Sequence, residues 1–308
     1  MARRIDVHHH LVAPRFIPSL REMGVLTPHL ASIMNEKNAL EDMDKAGVTL
    51  AVNSATLPEQ IEGEARRTYS RENNDYMARL VADHPGRFGM FASLPLPDVE
   101  GALKEIEYAF DVLKADGVHM ITSYDDHWLG DKIFAPVFDE LNRRKAVIYT
   151  HPHGPHCCQN ILKEIEIRDS SIEYGTDTTR ALVNLLFTGT IKRCPEVKLI
   201  FSHGGGTMPF LVERFIRMEK APRYAPLMPQ GFVAEARKFF YDTAQILHAS
   251  PLLALKQLVP LAQICYGTDY PWRYSDECVR GLLASEVFTA AELEAIDGNA
   301  APLFPRFR

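Results

Sequence analysis

Apolar residues fall along this chain in short continuous runs separated by longer amphipathic stretches. The runs cover 5–8, 49–55, 88–94, 117–121, 146–150, 198–202, 239–242 and 263–267. Continuous rather than alternating hydrophobicity marks a parallel strand buried on both faces. Between the runs, helical periodicity predicts helices such as 38–46, 58–84, 99–114, 135–144, 177–192 and 251–258. Asp177 or Thr178 suits the N-cap of the fifth helix, and Pro251 suits a first turn after Ser250. Strand–helix alternation implies a parallel sheet. Eight strands predict closure into an α/β fold, the (β/α)8 TIM barrel, where six or seven would favour an open doubly wound sheet. Two connections are long, 11–36 after the first strand and 204–238 after the sixth. Both follow strand C-termini, the face on which barrel enzymes carry their sites. Each is either a lid or specificity element or a plain surface insertion.

The 308 residues suit one barrel with insertions, and the chain is read as a single domain over 1–308, although two ordinary domains would also fit the length. A net charge of -6 and a pI of about 6.1 lack the basic patch that a nucleic-acid partner would require. No apolar run approaches the roughly 20 residues that span a bilayer. The opening residues carry two arginines but no apolar core of a signal peptide. Five cysteines, Cys157, Cys158, Cys194, Cys265 and Cys278, are odd in number and irregular in spacing. That argues for reduced thiols and a cytoplasmic setting rather than a disulfide framework.

Chemistry changes the picture at the strand ends. The first strand ends His8-His9-His10, and residues two apart share a face, so His8 and His10 can both face the barrel mouth with His9 turned away. Two imidazoles on one face are half of a zinc site. The fifth strand ends at His151 before Pro152, with His153 and His156 just beyond in the loop. The sixth ends Ser202-His203 before three glycines that let backbone come close to a ligand. The eighth ends Gly267-Thr268-Asp269 before Tyr270 and Pro271. Any one of these could be a buried histidine or a loop aspartate with a structural hydrogen bond. Together, at the C-terminal ends of strands one, five, six and eight, they converge on one pocket if the barrel closes. Such a set leaves room for water or substrate beside a cation, as a catalytic rather than a structural site does.

These motifs resemble the amidohydrolase superfamily. The Ser202–Gly206 run and the Gly267–Pro271 run are similar to its branch of non-oxidative decarboxylases, which includes aminocarboxymuconate-semialdehyde decarboxylase and the hydroxybenzoate decarboxylases of 6-methylsalicylate type. The likeness runs in order from Ile5 to about Trp272. It implies that His8, His10, His151 and Asp269 hold one divalent metal, zinc first and manganese as in some relatives. It implies that His203 and Asp269 are the catalytic pair. Strand four carries no lysine at its end, a departure from the binuclear pattern that favours a single metal. The implied activity is decarboxylation of an aromatic, salicylate-type or conjugated unsaturated carboxylic acid. Substrate contacts are expected from Arg15 or Arg21 as a carboxylate clamp, from Phe91 and Trp272 flanking a ring, and from His153. A homodimer is implied by analogy with the branch. Two other readings stand beside this one. A lactonase or amidase would use a zinc-activated water on the same ligands. A metal-free binding protein would merely keep the barrel, and metal content separates it from the other two.

Overall fold

The computed structural model describes residues 3–55, 58, 60–155 and 167–307. Eight parallel strands form one sheet in chain order. They are β1 Arg4–His10, β2 Val48–Ser54, β3 Phe88–Ser93, β4 Gly117–Ile121, β5 Val147–His151, β6 Lys198–Phe201, β7 Phe240–Asp242 and β8 Ile264–Cys265. The chain continues from β8 back onto β1 through Val7 N to Tyr266 O at 3.1 Å, Asp269 N to His8 O at 2.8 Å and His10 N to Tyr270 O at 2.8 Å. These bonds close the sheet into a (β/α)8 TIM barrel. Each strand coincides with one of the eight apolar runs.

Side chains pack in two layers. The inner layer includes Ile5, Val7, Leu50, Val52, Phe91, Val147, Tyr149, Ile200 and Cys265, and the floor is plugged by Ala300, Leu303 and Phe304. The outer layer lies between strands and helices and holds most of the remaining apolar core. Phe91 belongs to the inner layer. It is fully buried, stacks on Tyr149 at 5.2 Å and packs on Phe304 at 5.8 Å. It therefore fills the barrel below the mouth, and the expectation that it flanks a substrate is corrected. Its inward position two residues before the strand end is what the alternation of a β-strand dictates.

The helices differ from the periodicity at their ends. The first predicted helix begins at Glu36, capped by Asn35, whose side chain accepts from Asn38 N, and it stops at left-handed Gly47. The second runs Gly63–Asp83, starting later than expected. The fifth starts eight residues early, as Asp169–Phe187, with a separate turn Thr190–Arg193. Asp177 is thus no cap. It sits inside the helix and accepts from Thr122 Oγ1, from Ser123 Oγ at 3.1 Å and from Trp128 Nε1. Gly175 hides the helix start in the sequence because it reads as a breaker. Inside the helix its carbonyl accepts from Thr207 N at 3.1 Å, and a Cβ there would meet only ordinary contacts. Pro251 lies in the first turn of Ala249–Leu258, with His248 as the cap. The long connections carry helices of their own, Ile17–Glu22 and Pro28–Ile33 after β1 and Met208–Met218 after β6. Among the described residues no helix is long and apolar enough to cross a membrane.

Candidate metal centre and active site

His8 and His10 both face the mouth, but plain alternation does not put them there. Ile5 and Val7 point inward, so an unbroken strand would carry His9 inward next. Between the pairs Asp6–Ala51 and His9–Asn53, β1 spends three residue steps against two on β2. That extra residue is a β-bulge, and it re-aims the chain so that Val7 and His8 both lie on the inner side. His9 is turned outward, stacked on Tyr270 at 4.6 Å and bonded through Nδ1 to Asn53 Oδ1 at 2.8 Å.

One ligand atom from each of His8, His10, His151 and Asp269 lies within 4.8 Å of the others. His8 Nε2 is 3.1 Å from His10 Nε2 and 3.2 Å from Asp269 Oδ1, and His10 Nε2 is 3.4 Å from the same oxygen. Zinc bonds of about 2.05 Å at tetrahedral angles put ligand atoms ~3.3 Å apart, so these spacings fit a common cation. The tautomers point the same way. His8 Nδ1 donates to Asp242 Oδ2 at 2.9 Å, His10 Nδ1 to Ser54 O at 3.0 Å and His151 Nδ1 to Pro152 O at 2.7 Å. With each Nδ1 carrying the proton, each Nε2 presents a lone pair to the centre. His151 Nε2 is buried and has no partner among the described residues. Three nitrogens and a carboxylate converging in a buried space need positive charge among them, supplied by a proton on His8 or by a bound cation.

The charge balance agrees. Burial alone would push the His8 imidazole down, but Asp242 and Asp269 outweigh it and lift it to about 10. Burial holds His10 down, and burial together with the neighbouring imidazoles holds His151 well below its ordinary range. Burial would raise Asp269, yet His8, His10 and His203 overcome it and keep the carboxylate ionised. The site is therefore built to hold positive charge against Asp269.

His203 stands beside this group, its Nε2 3.6 Å from Asp269 Oδ2 and otherwise without a partner among the described residues. His203 and Asp269 adopt φ of 52° and 70°, and Gln245, which donates to Asp269 Oδ2 at 2.9 Å, adopts 59°. Left-handed backbone at three non-glycine residues costs energy and is characteristic of functional sites. Asp242 was missed from the sequence. Its two oxygens serve His8 Nδ1 and, at 2.9 Å, the backbone N of His203, so one buried carboxylate orients the His8 ring and anchors the His203 backbone. The signal was present, because Asp242 ends the seventh apolar run as the other site residues end theirs.

The remaining expected contacts scatter. Trp272 reaches the mouth, with its ring 5.3 Å from His10 and 37% of its surface exposed. His153 is partly buried, with Nδ1 3.4 Å from Gly154 O. Arg15 pairs with Glu72 and lies over Phe16 on the surface, and Arg21 is exposed on its short helix. Neither arginine touches the four donors. Cys157, Cys158 and His156 lie outside the described residues, and the other three cysteines are free and buried.

Comparison with known proteins agrees with this geometry. Residues 5–306 match the amidohydrolase family model, and the chain belongs to that family. It is 34% identical to the decarboxylase yanB of Aspergillus niger, over 99% of this chain and 88% of that one. It is 32% identical to the 6-methylsalicylic acid decarboxylase acuB of Aspergillus aculeatus, over 99% and 97%. Among solved structures, a dihydroxybenzoic acid decarboxylase from Polaromonas with bound manganese and the inhibitor 2-nitroresorcinol superposes with a TM-score of 0.86 at 21% identity, covering 100% of this chain and 98% of that one.

Proposed function

We propose that this protein is a metal-dependent carboxy-lyase that removes carbon dioxide without oxidation from an aromatic, salicylate-type acid or a related conjugated acid. The observation that carries the reading is the meeting of His8, His10, His151 and Asp269 beside His203. The decarboxylase relatives support this chemistry over hydrolysis on the same ligands. His8, His10, His151 and Asp269 would hold one divalent ion. Three nitrogen donors favour zinc, whereas manganese, bound in the Polaromonas structure, prefers oxygen. When bound, the ion supplies orientation and charge stabilisation to the substrate's carboxylate and adjacent oxygen.

The chain's own groups then do the proton work. Direct loss of carbon dioxide from an sp2 carbon would leave an unstable carbanion. The His203–Asp269 pair instead delivers a proton to the ring carbon that bears the carboxylate. The bond to the carboxylate carbon breaks, its electron pair returns to the ring, and carbon dioxide leaves. A proton held between Asp269 and His203 sits next to the ring because Gln245 and Asp242 fix both partners. Trp272 covers one side of the mouth and His153 lies in the loop beyond β5. The free buried cysteines support a reducing, cytoplasmic setting, and the homodimer of related enzymes is the assembly we propose; sedimentation in solution checks it.

The test is metal analysis of the purified protein with a carbon-dioxide release screen over hydroxybenzoates and muconate-like acids. Gas evolution with stoichiometric metal is expected, and His151→Ala should lose both. Ring opening or amide cleavage without gas would transfer the protein to the hydrolases. Full metal and activity in His151→Ala would remove the ligand assignment.

A further inference from the structure

The proposed metal ligands come from β1, the end of β5 and the exit of β8. The inner wall formed by β3 and β4 carries a second polar group that the proposed reaction does not use. Gly117 faces inward against Phe91 of the inner layer. Alternation then brings Ser93 on β3 and His119 on β4 inward, one step higher. The two are direct partners across the strands, since Ser93 pairs with His119 in the β3–β4 register. The His119 ring lies 6.3 Å from that of His151 and 6.0 Å from that of Tyr149. Ser93 is fully buried and His119 is only 2% exposed. Neither Ser93 Oγ nor either ring nitrogen of His119 has a hydrogen-bond partner among the described residues. The backbone of Ala55 favours the charged ring slightly but without hydrogen-bond geometry. On β6 the same alternation carries Ser202 inward, two residues after Ile200, and its Oγ is likewise unpartnered.

An unpaired buried polar group costs about 1–3 kcal/mol, so three such atoms on one patch, unpaired among the described residues, favour a bound group that both donates and accepts. A neutral imidazole offers one donor and one acceptor, and a serine hydroxyl offers both. The patch is made of one hydroxyl and one imidazole with their donors and acceptors unused, and it holds no lysine or arginine to balance a carboxylate. Its complement is a neutral group that both gives and accepts a hydrogen bond.

We infer that Ser93 and His119, paired across β3 and β4 beside His151, form a polar subsite that takes a hydroxyl group on the ring of the substrate. The inference rests on the carboxylate-substrate reading above and adds to it a specificity determinant. A site built to bond a hydroxyl rejects analogues that lack it.

The experiment is calorimetric titration of the metal-loaded protein with two matched pairs of acids, alongside carbon-dioxide release. One pair is 2-hydroxybenzoate and benzoate; the other is 2,6-dihydroxybenzoate and 2-hydroxy-6-methylbenzoate. Ser93→Ala and His119→Leu should weaken the hydroxyl-bearing member of at least one pair by about tenfold to a hundredfold, with its matched partner changed by less than about twofold. His119→Asn, which keeps a donor and an acceptor, should recover part of the loss. Equal loss for both members of each pair, or no loss in either, overturns the subsite and leaves His119 as packing. A crystal complex with an ordered water kept between Ser93 and His119 and no substrate oxygen there overturns it as well. If no acid yields gas but the selective binding survives, the decarboxylase reading fails and the subsite stands.

Discussion

Asp242 governs how His8 of the proposed metal centre is aimed. Its carboxylate fixes the His8 tautomer and ring plane, accepts from the His203 backbone, and at 3.2 Å accepts from the Tyr149 hydroxyl. Such outer carboxylates raise ligand basicity, and their loss commonly costs about tenfold to a hundredfold in metal affinity. Asp242→Asn should keep the shape while losing the charge. Its metal dissociation constant, read by chelator competition, should rise within that range. An unchanged constant would show that His8 needs no orienting partner.

Elements carry the site through their junctions. Gly267, between β8 and Asp269, faces the seam with β1, and a Cβ there would lie 2.8 Å from Asp242 Cβ and 3.0 Å from His8 Cβ. Gly267→Ala therefore pushes on both the ligand and its orienter. Overpacking of this kind costs about 1–3 kcal/mol, so urea unfolding should report that loss together with weaker metal binding. A second junction ties the helices Val99–Asp111 and Ala135–Arg143, where Arg144 bonds both Asp111 and Glu140. Arg143 and Arg144 hold the Glu140 carboxyl down at about 2 from its ordinary 4.5. A carboxylate with a depressed folded value adds stability that is whole above its unfolded value and is lost as pH falls through the folded one. Glu140→Gln should lower the urea midpoint near neutral pH by an amount equivalent to less than ~1 kcal/mol, and the gap from wild type should close between about pH 4.5 and about pH 2. A gap constant across that window would contradict the ion-pair account. The strands were legible because a parallel strand buried on both faces writes a continuous apolar run, and the donors were legible because they sit where those runs stop. The bulge at Val7 and His8 was not, since it changes which residues face inward without changing which are apolar. Asp177 away from any cap was hidden for a related reason: its carboxylate answers to Thr122, Ser123 and Trp128, far along the chain. Phe91 shows the limit of proximity in sequence, because being near a strand end does not say which layer of the barrel a ring fills.

At the scale of the whole molecule, the donors join the two ends of the chain. His8 and His10 come from the first strand, Asp269 follows the last, and His151 comes from the middle, so an ion bound by the four would tie together the seam that closes the barrel. Without a bound cation a proton on His8 offsets the Asp269 charge, while His151 Nε2 is left without a hydrogen-bond partner among the described residues. A ligand that binds only the folded state adds ~2.7 kcal/mol of stability when its free concentration is 100 times its dissociation constant. For a chain of 308 residues that corresponds to roughly 4 °C in the unfolding midpoint. Stripping the metal with a chelator should lower the midpoint by that amount, and zinc or manganese added back should restore it in proportion to the logarithm of concentration. Hydrogen exchange should place the loss of protection on β1, the β8 exit and the β5 end, with the β2–β3 side unchanged. An unfolding midpoint and exchange pattern indifferent to chelation and to both ions would mean that these four side chains do not share a cation.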